Sequence, residues 1–195
     1  MVCILLATLR MLTRRRFPSL ATAGLLGALC QPAPAIAQDD SMRAPHVRPE
    51  KGLRALVDEA ARRAPSIRAL IDQLESMDVT VYIRTRVFGQ IDLDGRVAML
   101  AARNSHRYLV IELACGRAGL AQMATLGHEL FHATEIAAEP SVVDAPSLAA
   151  LYARIGIQTG GQAGRLTFET AAAAAAGEQT RRELRMTTSR RTNGT

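Results

Sequence analysis

Residues 124–137 read Ala-Thr-Leu-Gly-His-Glu-Leu-Phe-His-Ala-Thr-Glu-Ile-Ala, with two histidines four apart and a glutamate directly after the first. On an α-helix successive residues turn by about 100°, so His128 and His132 lie about 40° apart and one turn along the axis. Both imidazoles can then reach one ion. Imidazole nitrogen suits zinc, and a hydrolytic zinc site uses three protein ligands and keeps one position open. Glu129 stands about 60° around the helix from His132. It is near such an ion without ligating it, placed to take a proton from an attacking water and return it to a leaving group. Leu126, Leu130, Phe131 and Ala133 make the other faces fit for burial. A half-buried histidine pair without a metal needs other hydrogen-bond partners. This helix therefore asks for an ion or for a polar network around it.

The chain around the motif alternates between strand and helix patterns. From Glu50 to Ala64, Leu53, Leu56, Val57, Ala60 and Ala61 recur at helical spacing. Pro65 interrupts, and Ser66 is placed to cap a second helix carrying Ile67, Leu70, Ile71 and Leu74. Residues 78–85 alternate Val79, Val81 and Ile83 against Thr80, Tyr82 and Arg84, a strand period. Residues 96–103 and 107–114, separated by Asn104-Ser105-His106, read as a β-hairpin. The motif helix starts near Leu120 and ends close to Glu139, because Pro140 disfavours helix in the residue before it. Asp144 is an N-cap for a helix with Pro146 in its first turn, stopped by Gly156. Gln158–Gly164 reads as a glycine-rich loop, and residues from Leu166 to Met186 as one last long helix that includes Glu169.

The N-terminal fifth carries an address rather than fold. Thr13-Arg14-Arg15-Arg16-Phe17 resembles the twin-arginine export motif, an apolar run follows from Leu20 to Leu29, and Ala35-Ile36-Ala37 is a small-x-small cleavage site. Residues 1–37 are thus expected to be an export signal, with Met1 or Met11 as the start, and the protein periplasmic or extracellular. The run is too short to span a bilayer about 30 Å thick, so no stable membrane span is expected, an uncleaved anchor being the alternative. Residues 38–49 read as a flexible lead-in with an exposed His46, residues 50–186 as one domain, and residues 187–195 as a disordered basic tail.

Four of the 24 basic residues and none of the 18 acidic ones fall in the signal, leaving 20 basic residues against 18 acidic. A net of +2 with few aromatic residues gives no case for a nucleic-acid partner. Cys3 and Cys30 also fall there, so Cys115 is alone in the remainder, without an internal disulfide partner.

His128-Glu129-Leu130-Phe131-His132 resembles the active-site helix of the zincin metallopeptidases. The resemblance implies a small α+β domain in which a hairpin or three-stranded sheet packs on the motif helix and a following helix pair. It also implies an edge strand that can pair with an extended peptide. The metzincin continuation, a glycine and a third histidine, is absent. The thermolysin-like gluzincin branch takes a glutamate from a later helix, and Glu169, 37 residues beyond His132, fits that role. Ala172, Ala173 and Ala176 would share its helical face and allow close approach. Glu135 lies about 20° from His128 on the motif helix, and competes as ligand or, more in keeping with one straight helix, accepts a hydrogen bond from an imidazole. A site with neither carboxylate as ligand stays open. Tyr152, His106 and Tyr108 are the polar candidates to stabilise a developing oxyanion, Tyr152 foremost because of its position between the two metal-bearing segments.

The reading that results is an exported Zn2+-dependent hydrolase, a metallopeptidase with His128, His132 and Glu169 holding zinc and Glu129 as base, acting on peptide or protein. The alternative is a secreted domain that binds zinc, or serves as a binding or structural module, without turnover.

Overall fold

Alternation in residues 79–83 sends Val79, Val81 and Ile83 to one face, and all three are buried. In the computed structural model, which describes residues 44–89, 93–162 and 165–192, they lie in β2 (Val79–Arg86) of a four-stranded sheet. β1 (Val47–Pro49) and β4 (His106–Ala114) flank β2 in parallel, and β3 (Gly95–Arg103) pairs antiparallel with β4. The order is β1-β2-β4-β3, which makes β3 an edge strand. The β3–β4 hairpin turns on Asn104 and Ser105, with φ of 50° and 69°. Two left-handed residues in a two-residue turn match the twist of the strands they join.

One face of the sheet carries the core. Val97, Leu109, Ile111 and Leu113 meet Leu126, Leu130, Ala133 and Ile136 of α3 (Gly119–Ala137). α1 (Arg54–Arg63) and α2 (Pro65–Glu75) add Val57, Ala60, Ile67, Leu70 and Leu74. α3 lies between the sheet on one side and α2 and α5 (Ala171–Thr192) on the other. It is buried nearly all round, as a helix with apolar or small residues on every face must be. Arg107 of β4 fixes its far end: the guanidinium donates to the carbonyls of Ile136, Ala137 and Glu139 at 2.9–3.0 Å. Ile136 and Ala137 belong to the last turn of α3, where carbonyls have no i+4 N–H within the helix. α4 (Ala145–Ile155) begins on the capping box of Asp144 and Ser147 and ends at Gly156, as the sequence indicated.

The mixed α+β class agrees with the sequence reading, and the structure corrects it in several places. The sheet has four strands rather than three, because the end of the lead-in joins it as β1. Glu75 holds that strand, its carboxylate accepting the N–H groups of His46 and Val47 at 2.7 and 2.9 Å. His46 is consequently buried at 5% exposure, not solvent-exposed. Ser66 does not cap α2; Ala64 occupies that position, and the Ser66 hydroxyl donates to Glu183 of α5 at 2.7 Å. The expected glycine-rich loop is β5 (Ile157–Gln162), paired antiparallel with β6 (Arg165–Glu169). The last helix therefore starts at Ala171, not near Leu166, and it runs on through residues 187–192, where a disordered tail was expected. The export signal lies outside the described residues. Among those described, no helix is long and apolar enough to cross a membrane.

Candidate metal centre

α3 presents His128 and His132 on one face, their rings edge to face at 4.8 Å and their Nε2 atoms 3.1 Å apart. The third group arrives from β6, whose last residue is Glu169. Its Oε2 lies 3.3 Å from His128 Nε2 and its Oε1 3.4 Å from His132 Nε2. Donors about 2.0–2.2 Å from a tetrahedral zinc stand about 3.3–3.5 Å from one another. The two short approaches use different Glu169 oxygens; with one donor atom taken from each side chain the three lie within 4.8 Å of one another, and His128, His132 and Glu169 can hold a metal ion.

Glu169 is not on the alanine-rich helix, which corrects the expected route. The hairpin partner holds it in strand conformation, with Glu169 opposite Ile157, and Thr170 then starts α5 by accepting the Ala173 N–H at 3.1 Å. The alanine face argument changes with it. Ala172 is exposed, and the stripe that meets α3 is Ala173, Gly177 and Thr180. A Cβ on Gly177 would sit 3.2 Å from His128 Cβ, and one on Gly127 only 2.3 Å from Thr180 Oγ1. The two helices approach as closely as their backbones allow.

Glu135 contacts the histidine from behind. Its Oε2 lies 2.8 Å from His132 Nδ1, so the Nδ1–H tautomer donates to it and leaves the Nε2 lone pair for a metal. The Tyr152 hydroxyl donates to the same Oε2 at 3.2 Å, and the Thr170 hydroxyl to Oε1 at 2.8 Å. Tyr152 is fully buried, and its hydroxyl lies on the Nδ1 side of His132, 3.4 Å from that nitrogen. Burial first, then the Glu135 carboxylate, push its phenol well above 10, so it stays a donor. His106 bonds Thr80 at 2.9 Å and stacks edge-on with Tyr108, near the turn end of the hairpin. Gly95, at the other end, is the hairpin residue against Glu129.

Burial lowers the proton affinity of His132, but hydrogen bonds to Glu135 and Glu169 outweigh it and push its pKa up to about 9. Burial dominates at His128 and pulls it down. Burial raises Glu169, and the two histidines more than reverse that, to about 2. Two imidazoles are thus surrounded by three carboxylates, Glu129, Glu135 and Glu169, an arrangement that favours added positive charge.

Glu129 is the exception to the bonding. It is fully buried, and neither carboxylate oxygen has a hydrogen-bond partner among the described residues. Burial drives its pKa well above the ordinary carboxylate value. Gly95 lies against it: a Cβ there would come within 3.0 Å of Oε1. A buried unpaired carboxylate costs stability, and such groups cluster where chemistry uses them.

Thr170, Gly95, Gly127 and Gly177 were not singled out from the sequence. The alanine run hinted at the close helix crossing, but no local pattern marks a threonine that caps one helix while bonding a carboxylate on another. Comparison with protein-family models, with curated proteins and with solved structures finds no match for this chain.

Proposed function

We propose that this chain is a zinc-dependent hydrolase of the gluzincin type that cleaves peptide bonds, with His128, His132 and Glu169 as ligands and Glu129 as general base. The observation that carries the proposal is Glu129: a buried carboxylate without hydrogen bonds, adjacent in sequence to one of three convergent donors. The donor set of two imidazoles and one carboxylate is that of a hydrolytic zinc site. Zinc, when bound, supplies Lewis acidity that makes a water more acidic and polarises a carbonyl.

The residues of the chain do the rest. Glu129 accepts the proton of the attacking water and passes it to the leaving nitrogen. Its raised proton affinity suits it to hold that proton between the two steps. Glu135 keeps His132 in the tautomer that offers Nε2, and the Tyr152 hydroxyl donates to Glu135. The edge strand β3 brings Gly95 against Glu129, and its unpaired side can take an extended peptide as a further strand. Export by the twin-arginine route would give the enzyme a periplasmic or extracellular substrate.

Metal analysis of the purified protein together with a Glu129→Gln variant tests the proposal. Near-stoichiometric zinc in both proteins and peptide hydrolysis in the wild type alone are expected. Zinc without hydrolysis in either would favour the non-catalytic zinc-binding domain, and absence of zinc would remove both.

A further inference from the structure

Glu169 and Thr170 are consecutive residues, yet their side chains serve different histidine contacts. Glu169 reaches the Nε2 atoms of His128 and His132. Thr170 reaches the opposite side of the cluster, donating its hydroxyl proton to Glu135 Oε1 at 2.8 Å, while Glu135 Oε2 faces His132 Nδ1. The same hydroxyl accepts the Ala173 N–H at 3.1 Å, and the Thr170 N–H donates to Glu169 Oε1 at 2.8 Å. A hydroxyl has one proton to give and lone pairs to receive, and here both capacities are used. Thr170 is 3% exposed, so water does not compete for these bonds.

These contacts close a ring. It runs from His132 through Glu135 to Thr170, along the backbone to Glu169, and back to His132. The ring joins two chain segments 37 residues apart, α3 and the β6–α5 junction, and the Thr170 hydroxyl is the link that crosses between them behind the imidazole.

We infer that Thr170 is a positioning residue whose hydroxyl sets the Glu135 carboxylate on His132 and, through the shared backbone, fixes Glu169 relative to that histidine. This rests on the ligand set proposed above. Thr170 touches no reacting atom. Its effect passes through Glu135, as the partners of a ligating histidine generally act on metal affinity.

The test uses the full chain with zinc and a competing chelator, and a second readout on metal-free protein, the downfield Nδ1–H proton resonance of His132. Thr170→Val keeps the shape and removes both bonds; zinc affinity should fall about tenfold or more, and the His132 resonance should be lost. Thr170→Ser restores both bonds and should match the wild type in both readouts. Thr170→Asp retains a cap for α5 but has no proton for Glu135, so it should lose the His132 resonance in a protein whose helix content is unchanged. In a Glu135→Ala background Thr170→Val should cause no further loss of affinity. Wild-type affinity and an intact resonance in Thr170→Val, or additive losses in the double variant, would overturn the inference. If the wild type binds no zinc, the ligand reading fails, and the His132 resonance in the metal-free proteins still decides the role of Thr170.

Discussion

His132 turns its Nδ1 to Glu135 at 2.8 Å, and its other nitrogen to His128 and Glu169. One imidazole therefore separates the side that holds it from the side that can hold a metal. Replacing Glu135 by alanine frees the ring and leaves its tautomer unset. Zinc affinity should fall roughly 10- to 100-fold, measured by chelator competition. Glu135→Gln, whose amide oxygen still accepts a hydrogen bond, should lose less.

Glu129 costs the metal-free protein stability in a pH-dependent way. Its pKa in the fold is raised above the ordinary 4.5 by burial, so the folded state binds the proton more tightly than the unfolded chain. Its contribution is fully present below about pH 4.5 and is lost as pH rises through the folded value. Glu129→Gln removes this dependence. Thermal melts of metal-free protein should show the variant more stable than wild type at neutral and mildly alkaline pH, by about 1–3 kcal/mol, with a flatter slope. Equal stability at neutral pH would mean that the carboxylate is neither buried nor unpaired in solution.

Glu112 shows the opposite sign. Burial raises its pKa, but hydrogen bonds from Arg84, Arg86 and Arg96 outweigh that and hold it below 4.5. Stability from this group is present above about pH 4.5 and is lost as pH falls through the folded value. Glu112→Gln leaves the buried Arg96 guanidinium without its counter-charge, at a cost of about 3 kcal/mol in chemical denaturation. The variant should also show less acid sensitivity than the wild type. Arg84 and Arg86, each nearly half-exposed, should matter far less when replaced singly.

The α3–α5 crossing gives a steric prediction. A Cβ at Gly127 would meet Thr180 Oγ1 at 2.3 Å and Cβ at 3.0 Å, so Gly127→Ala should destabilise the fold by about 1–3 kcal/mol. Gly177→Ala makes milder contacts with His128, 3.2 Å to Cβ and 3.3 Å to Nδ1. That variant should fold and bind zinc more weakly, a separation of effects that melting and chelator competition together can see.

Much of this was legible in the residues. The 3.6-residue period placed His128, Glu129 and His132 on α3, the two-residue period gave β2 and the hairpin, and Asp144, Pro146 and Gly156 bounded α4. Each is a local pattern with a local cause. What escaped was set by partners distant in sequence. His46 reads as exposed until the Glu75 carboxylate orders its strand, and Ser66 reads as a cap until Glu183 claims its hydroxyl. Leu166-Thr167-Phe168 sits beside six alanines and reads as helix, but pairing with β5 makes it strand. The identity of Glu169 survived that change because a strand ending at the helix start delivers its carboxylate to the same place.

The hairpin that delivers Glu169 has a consequence for how the protein matures. Two donors are in place once α3 has packed on the sheet, but the third belongs to a segment completed only when β5, β6 and the start of α5 have docked. High affinity for the ion should therefore appear late, as a report that the C-terminal segment has reached its seat. If the chain is exported folded, as proposed, such a late-closing site would couple loading with metal to the completion of folding.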